Sequence, residues 1–136
     1  MLVLTLKVQS MDKDILFKVL EDLEGSSDSR ITKTEVGRYC ITEPFFIDGY
    51  AQLLKDDDAN LKWKDMTDPK IAREVILAYW KRYCPKALKD GDIRVLAAVF
   101  RKGPRGYNNP TGIRYGKRAL ALYYEYKKGS NQTSSK

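Results

Sequence analysis

The sequence predicts a mainly α-helical single domain, and three observations support this prediction. The chain has 136 residues, a length that suits one hydrophobic core. Apolar residues recur at helical spacing in several segments, and most of these segments follow a helix-capping residue. Glycine and proline separate the segments, without an internal repeat or interdomain linker. We therefore expect about five helices, with a short N-terminal strand or a small hairpin beside them.

The first helix is predicted to run from the N-cap Asp12 to a stop at Gly25. Before it, residues 2–9 alternate weakly and suit either a strand or an ordered arm. After it, residues 25–36 are polar and turn-rich, so we expect a loop with a small hairpin at residues 30–34. The apolar stripe of this helix is Ile15, Leu16, Val19, Leu20 and Leu23.

Proline marks the starts of the next two helices. Pro44 is expected to open the second helix, and Asp56–Asp58 to form an exposed loop after it. Asp68 followed by Pro69 combines an N-cap with proline at the first helical position, and Cys84-Pro85 should end this third helix. The residues of the second helix that should face inward are Phe45, Phe46, Tyr50, Leu53 and Leu54.

Two further helices complete the predicted domain. Asp92 caps the fourth, and residues 103–112 form a loop rich in turn formers. The last helix is expected over residues 112–127. The composition thus predicts a folded domain over residues 1–127 and a disordered C-terminal tail over residues 128–136.

The charge of the chain favours an anionic partner. Lys and Arg number 25 against 18 Asp and Glu, which gives +7 at pH 7. Nucleic acid, anionic lipid and acidic cell-wall polymers all suit such a protein. Two cysteines permit at most one disulfide, which favours a reducing, cytoplasmic compartment. No signal peptide is recognisable and no run approaches the ~20 apolar residues of a membrane span, so we expect a soluble protein.

The chain contains no histidine, so proton chemistry near neutral pH requires a carboxylate with a shifted pKa. Glu24 is the best candidate. It follows Leu20 by four residues and therefore projects from the side of the apolar stripe. Burial and the negative end of the helix dipole would both raise its pKa. The alternative interpretation is a solvated glutamate at a frayed helix end.

Four blocks of sequence carry a resemblance to a known family. They are LEGS at residues 23–26, YCITEPFFID at residues 39–48, AYWKRY at residues 78–83 and AVFRKGPRG at residues 98–106. In order and spacing the chain resembles the invertebrate-type (destabilase-like) lysozymes and their disulfide-poor bacterial and phage relatives over roughly residues 15–125. The resemblance implies a lysozyme-like α-rich fold and hydrolysis of the β-1,4 bonds of peptidoglycan. It also allows a phage or bacterial protein exported without a recognisable leader.

The chain departs from the family pattern at several positions. Cys40 replaces a glutamine, and Phe100-Arg101 replaces a His-Asn pair. The family's second acid has no clean counterpart, because Arg30 falls at or near its place. Asp28 and Glu35 are the nearby carboxylates. With no histidine base, Cys40 is expected to be structural rather than a nucleophile.

The resemblance implies specific roles for the candidate residues. Glu24 would protonate the leaving oxygen, and Glu35 or Asp28 would stabilise the oxocarbenium-like charge or activate water. The family lines its sugar cleft with the loop at residues 103–112, although these residues also suit an ordinary connection between helices. The expected substrate-binding residues are Tyr39, Arg105, Tyr107, Asn108 and Asn109.

Two other functions remain open. The departures suggest a catalytically degenerate lysozyme fold that binds peptidoglycan or a related anionic glycan, or that serves in an assembly. The basic, tyrosine-rich C-terminal helix also suits single-stranded nucleic acid, a less favoured alternative because no recognised binding motif is present. Neither a metal nor a cofactor is expected, since no cluster has metal-ligand spacing and no glycine-rich loop suits a nucleotide phosphate.

Overall fold

The computed structural model describes residues 11–54 and 60–134, and over this part of the chain the fold is mainly α-helical, as predicted. The predicted strand at residues 2–9 and loop at Asp56–Asp58 lie outside the described residues. Two 3₁₀ turns, Trp63–Thr67 and Gly106–Asn108, connect the helices. The α-helices are α1 (Lys13–Glu24), α2 (Glu43–Leu53), α3 (Pro69–Tyr83), α4 (Pro85–Asp90), α5 (Ile93–Lys102) and α6 (Pro110–Ser134).

Helix α1 has the bounds that its caps predict. The Asp12 carboxylate accepts a hydrogen bond from the backbone N–H of Ile15 at 3.2 Å. Gly25 ends the helix with φ +58°, a left-handed conformation that glycine adopts without steric cost. The Tyr123 hydroxyl accepts from the backbone N–H of Asp12 at 2.9 Å and thereby ties the start of α1 to α6.

The loop after α1 folds back on itself near the expected hairpin. Ile31 and Val36 form one antiparallel bridge, and Val36 forms another with Ile41. The second bridge has two backbone hydrogen bonds of 3.0 Å. These pairings are too short to be strands, but they bring the loop alongside the end of α1.

Helices α2 and α3 begin with side-chain caps. The Thr42 hydroxyl accepts from the N–H of Phe45 at 3.3 Å, so α2 starts one residue before Pro44. The Asp68 cap of α3 was predicted and is present. The expectation that Leu54 faces inward is wrong, because Leu54 lies beyond the last turn of α2 and is 54% exposed.

Helix α4 was not predicted from the sequence. Pro85 was interpreted only as the end of α3, yet it is also the first residue of the six-residue helix α4. Proline suits this position, since the first helical N–H needs no partner and the ring fixes φ near the helical value. The short helix then leads through Gly91 to the predicted Asp92 cap of α5.

The core lies between α1, α3, α5 and α6. Trp80 is fully buried, and its indole N–H donates to the carbonyl of Leu96 at 2.9 Å. Tyr115 and Tyr123 of α6 are also buried, at 7% and 3% exposure. Of the other two tyrosines of this helix, Tyr126 is partly buried and Tyr124 is 57% exposed. This division between core and surface is that of an amphipathic helix.

Helix α6 is longer than predicted. It extends to Ser134, through most of the segment whose composition predicted a disordered tail. Once its first turns are fixed by packing, each added residue contributes a hydrogen bond without a new nucleation cost. Among the described helices, none combines the length and the hydropathy that crossing a membrane requires.

Two glycines of α6 provide a matched test of the packing between α5 and α6. A Cβ at Gly116 would lie 2.4 Å from the carbonyl oxygen of Arg94, whereas one at Gly129 would meet no atom within 4 Å. Gly116→Ala should therefore lower the free energy of unfolding by about 1–3 kcal/mol. Gly129→Ala should be neutral or stabilising by up to about 1 kcal/mol, since alanine is the better helix former. Urea denaturation of both variants measures the difference, and equal effects would contradict the close approach of the two helices.

Candidate active site

A cleft of about 390 Å³ opens beside the C-terminal end of α1. Its walls come from the loop that follows α1, the start of α2, the middle of α3 and the end of α5. Carboxylates and cations both face it, together with aromatic side chains. The charged residues that line the cleft are Glu24, Glu35, Asp48, Arg101 and Lys102.

Glu24 is the last residue of α1 and is partly buried in the cleft. Burial raises the pKa of this carboxyl group, because a charged carboxylate is poorly solvated there. The positive charge of Arg101 acts in the opposite direction, the negative charge of Glu35 adds to the rise, and Arg30 opposes it. The net pKa of Glu24 lies above the usual value for glutamate, as the sequence predicted from its position on the apolar side of the helix.

Glu35 faces the same cleft from the folded-back loop. The Thr32 hydroxyl accepts from the N–H of Glu35 at 3.0 Å, and the Glu35 carbonyl accepts from the N–H of Thr32 at 2.9 Å. Its carboxylate forms an ion pair with Arg30, with 3.3 Å between Oε1 and Nη2. The structure therefore brings Glu24 and Glu35 together, with Glu35 held by an ion pair and Glu24 desolvated.

Asp28, the other candidate for the second acid, does not line this cleft. Its carboxylate pairs with the Arg38 guanidinium, with 2.9 Å between Oδ2 and Nη2. The hydrogen bonds from Arg38 lower the pKa of Asp28. The pairing gives Asp28 a role in fixing the loop and leaves Glu35 as the carboxylate that shares a cleft with Glu24.

Tyr39 has a structural position that differs from the expected sugar-binding role. Its side chain is fully buried, so the ring has no surface for a ligand. The hydroxyl donates to Glu21 Oε1 at 2.6 Å and accepts from Arg73 Nε at 2.8 Å. Tyr39 is thus part of the core that supports the cleft and does not line it.

The loop between α5 and α6 also lies mostly away from the cleft. Arg105, Tyr107, Asn108 and Asn109, all expected to bind substrate, do not line it. Asn109 instead caps α6, since its side-chain oxygen accepts from the backbone N–H groups of Thr111 at 2.9 Å and Gly112 at 3.1 Å. This favours the alternative interpretation of the segment as a helix connection. Only Gly103 and Pro104 of the loop reach the cleft.

The cleft contains residues that the sequence analysis did not select. Phe45 and Tyr79 stack with ring centroids 3.9 Å apart and form an aromatic wall. Asp48 lines the cleft from α2, and its carboxylate lies 4.0 Å from Arg82. Arg101 was noted only as a departure from the family pattern. Its place beside Glu24 follows from the packing of α5 against the cleft, which the sequence pattern did not indicate.

Several polar groups cluster near Glu24. Cys40 lines the cleft with φ +52°, and burial raises the pKa of its thiol, which faces the Ser26 hydroxyl. Burial, together with the nearby charge of Glu24, raises the pKa of Tyr115. The buried hydroxyl of Tyr115 has no hydrogen-bond partner among the described residues. Cys40 and Cys84 are both free thiols. Cys40 is partly buried.

A cluster around Glu21 holds the loop against α1. Glu21 Oε1 accepts from Tyr39, lies 3.0 Å from Arg73 Nη2 and pairs with Arg38 Nη1 at 3.0 Å. Burial alone would raise the pKa of Glu21, but these three partners together lower it. The carboxylate is thus a fixed anchor one turn before Glu24.

The described residues contain no group of three or more His, Cys, Asp or Glu side chains arranged to hold a metal ion. What the cleft offers chemically is three carboxylates, two cations and an aromatic wall. No family model matches the chain, and neither a curated protein nor a solved structure shows significant similarity to it.

The raised pKa of Glu24 predicts a pH-dependent effect of Glu24→Gln on stability. A carboxyl group whose folded pKa exceeds its unfolded pKa stabilises the protein at low pH, and this contribution is lost as pH rises through the folded pKa. Glu24→Gln should therefore gain stability relative to wild type as the pH rises above the unfolded pKa of ~4.3, and the gain should level off once the pH exceeds the folded pKa. Denaturant midpoints at several pH values measure the effect. Glu74→Gln, at an exposed position of α3, is the control and should show no such gain. A pH-independent difference for Glu24→Gln would contradict the desolvation of this group.

Proposed function

We propose that the protein is a lysozyme-like glycoside hydrolase that cleaves β-1,4 bonds of peptidoglycan, with Glu24 as the general acid. The observation that carries the proposal is the pairing of Glu24 and Glu35 in one cleft, with the pKa of Glu24 raised by burial. A glycosidase needs one carboxyl group that keeps its proton and a second that is ionised. Enzymes achieve this by placing the two groups in environments that shift their pKa values apart.

Each carboxyl group suits one step of the reaction. Glu24 would donate its proton to the glycosidic oxygen as the bond to the anomeric carbon breaks. Glu35, paired with Arg30 at 3.3 Å, would stabilise the positive charge that develops on the sugar ring or accept a proton from the attacking water. This chemistry needs neither a histidine nor a metal ion.

The remaining walls suit a glycan strand. Phe45 and Tyr79 provide an apolar side against which a pyranose ring can pack. Asp48 and Lys102 provide polar groups that can hydrogen-bond sugar hydroxyls. The net charge of +7 would favour adsorption to an anionic cell wall.

A second candidate is a degenerate lysozyme fold that binds a glycan without cleaving it. One observation favours it: the charge of Arg101 lowers the pKa of Glu24 and so opposes the protonated state that a general acid needs. Such a protein would use the same cleft as a binding groove. Binding of insoluble peptidoglycan without release of reducing ends would support this candidate over the hydrolase.

Substitution of each carboxylate tests the hydrolase directly. Glu24→Gln should reduce the release of reducing ends from purified peptidoglycan by about 10²–10⁴-fold, the usual contribution of a general acid. Glu35→Gln should also cause a large loss, whereas Asp28→Asn should retain most activity because Asp28 lies outside the cleft. Glu74→Gln is the matched control for removal of a charge. Equal activity of wild type and Glu24→Gln would reject Glu24 as the acid.

A further inference from the structure

We propose that Arg101 and Lys102 form an anion subsite in the cleft, and that this subsite selects glycans with a free carboxylate next to the scissile bond. The inference rests on the proposed glycosidase function and adds a substrate preference to it. The two residues are the last of α5, and both are exposed and line the cleft that contains Glu24.

These two cations differ from the arginines that face carboxylates in the described part of the chain. Arg30, Arg38, Arg73 and Arg82 each lie within 4.0 Å of a carboxylate. Among the residues that the structure describes, no such ion pair involves Arg101 or Lys102. Their charges are therefore available to a ligand, although three carboxylates line the same cleft.

Arg101 is held against the core and lies near Glu24. Its guanidinium lies over the ring of Tyr115, 5.9 Å from the ring centroid, and Tyr115 is itself buried in the core. This contact restricts the arginine side chain and lowers the entropy that binding would cost. The charge of Arg101 also reaches Glu24, so a group bound to it would lie close to the reacting bond.

Arg101 and Lys102 lie at the C-terminus of α5, where cations also occur without any role in binding. Cations are favoured there by the helix dipole whether or not they bind a ligand. That explanation accounts for the charge but not for two cations that line a cleft of about 390 Å³ without forming an ion pair across it. A carboxylate matches the planar donor pair of arginine, and the adjacent lysine adds a second positive charge.

The glycan of peptidoglycan carries a carboxylate on the lactyl ether of every second sugar when its peptides are removed, and a neutral β-1,4 glycan carries none. A test can therefore compare two forms of one substrate: peptide-free glycan strands with free lactyl carboxylates, and the same strands with these carboxylates converted to methylamides. Comparing kcat/KM for the two forms at one pH cancels any effect of a variant on the pKa of Glu24 in the free enzyme, because this effect is common to both forms.

Wild type should prefer the free-carboxylate strands by about tenfold, which corresponds to one charge-assisted interaction. Arg101→Gln should bring this ratio close to one, and Lys102→Gln should lower it in part. Arg94→Gln is the matched control, because Arg94 is exposed on the same helix and does not line the cleft. It should leave the ratio unchanged. A wild-type ratio of one, or a ratio that Arg101→Gln does not alter, would overturn the proposal.

Binding separates this inference from the proposed function. If wild type cleaves neither form, the hydrolase proposal fails, and equilibrium binding of both forms by wild type and Arg101→Gln still tests the subsite. Tighter binding of the carboxylate form, lost in Arg101→Gln, would support it. If single-stranded DNA binds as tightly and Arg101→Gln weakens it equally, the cations form a general polyanion surface and the proposed selectivity is wrong.

Discussion

The candidate site depends on the hydrogen-bonded carboxylate of Glu21. Tyr39, Arg38 and Arg73 all converge on its Oε1 atom, and they come from the loop and from α3. This cluster therefore fixes the loop, helix α1 and helix α3 relative to one another. A partly buried carboxylate with three partners is costly to disrupt, because removal of the acid would leave the buried Tyr39 hydroxyl and two partly exposed guanidinium groups without their shared acceptor. The cleft lies directly beyond this cluster, where the same loop continues to Cys40.

Glu21 and Glu24 lie one helical turn apart, and their environments shift their pKa values in opposite directions. Both lose solvation, which raises the pKa of each. The three donors lower the pKa of Glu21 by more than burial raises it, whereas Glu24 receives no such hydrogen bond from a residue that the structure describes. The same residue type in one helix thus provides a fixed structural anion and a carboxyl group that retains its proton to higher pH. The difference arises from the partners that the loop and α3 supply.

The sequence predicted those parts of the fold that depend on local signals. The caps at Asp12, Asp68 and Asp92 define helix starts through contacts within one turn, and all three were placed correctly. Helix α4 was missed because Pro85 acts both as a stop and as a start. The end of α6 was missed because composition describes the isolated segment, while the helix propagates from turns held by the core.

The site was predicted only in part, for the same reason. Glu24 could be selected because its position relative to the stripe of α1 is a local property. Asp28 is separated from Glu35 because it pairs with Arg38, ten positions further along the chain. Residue spacing does not predict this contact. Tyr39 belongs to one of the four blocks that carry the resemblance and was expected to bind substrate, yet its side chain is fully buried. A position within a motif does not show whether a side chain lines the cleft or packs in the core beneath it.

Arg101 determines how the two proposals fit together. Its charge lowers the pKa of Glu24, which by itself weakens a general acid. A bound carboxylate would neutralise that charge and allow the pKa of Glu24 to rise towards the value that burial favours. The substrate anion would then increase the protonated fraction of the acid when the scissile bond is in place. On this view Arg101, which has no ion pair among the described residues, would link substrate selection to the protonation state of Glu24. The degenerate-fold interpretation is then not needed to explain its place beside Glu24.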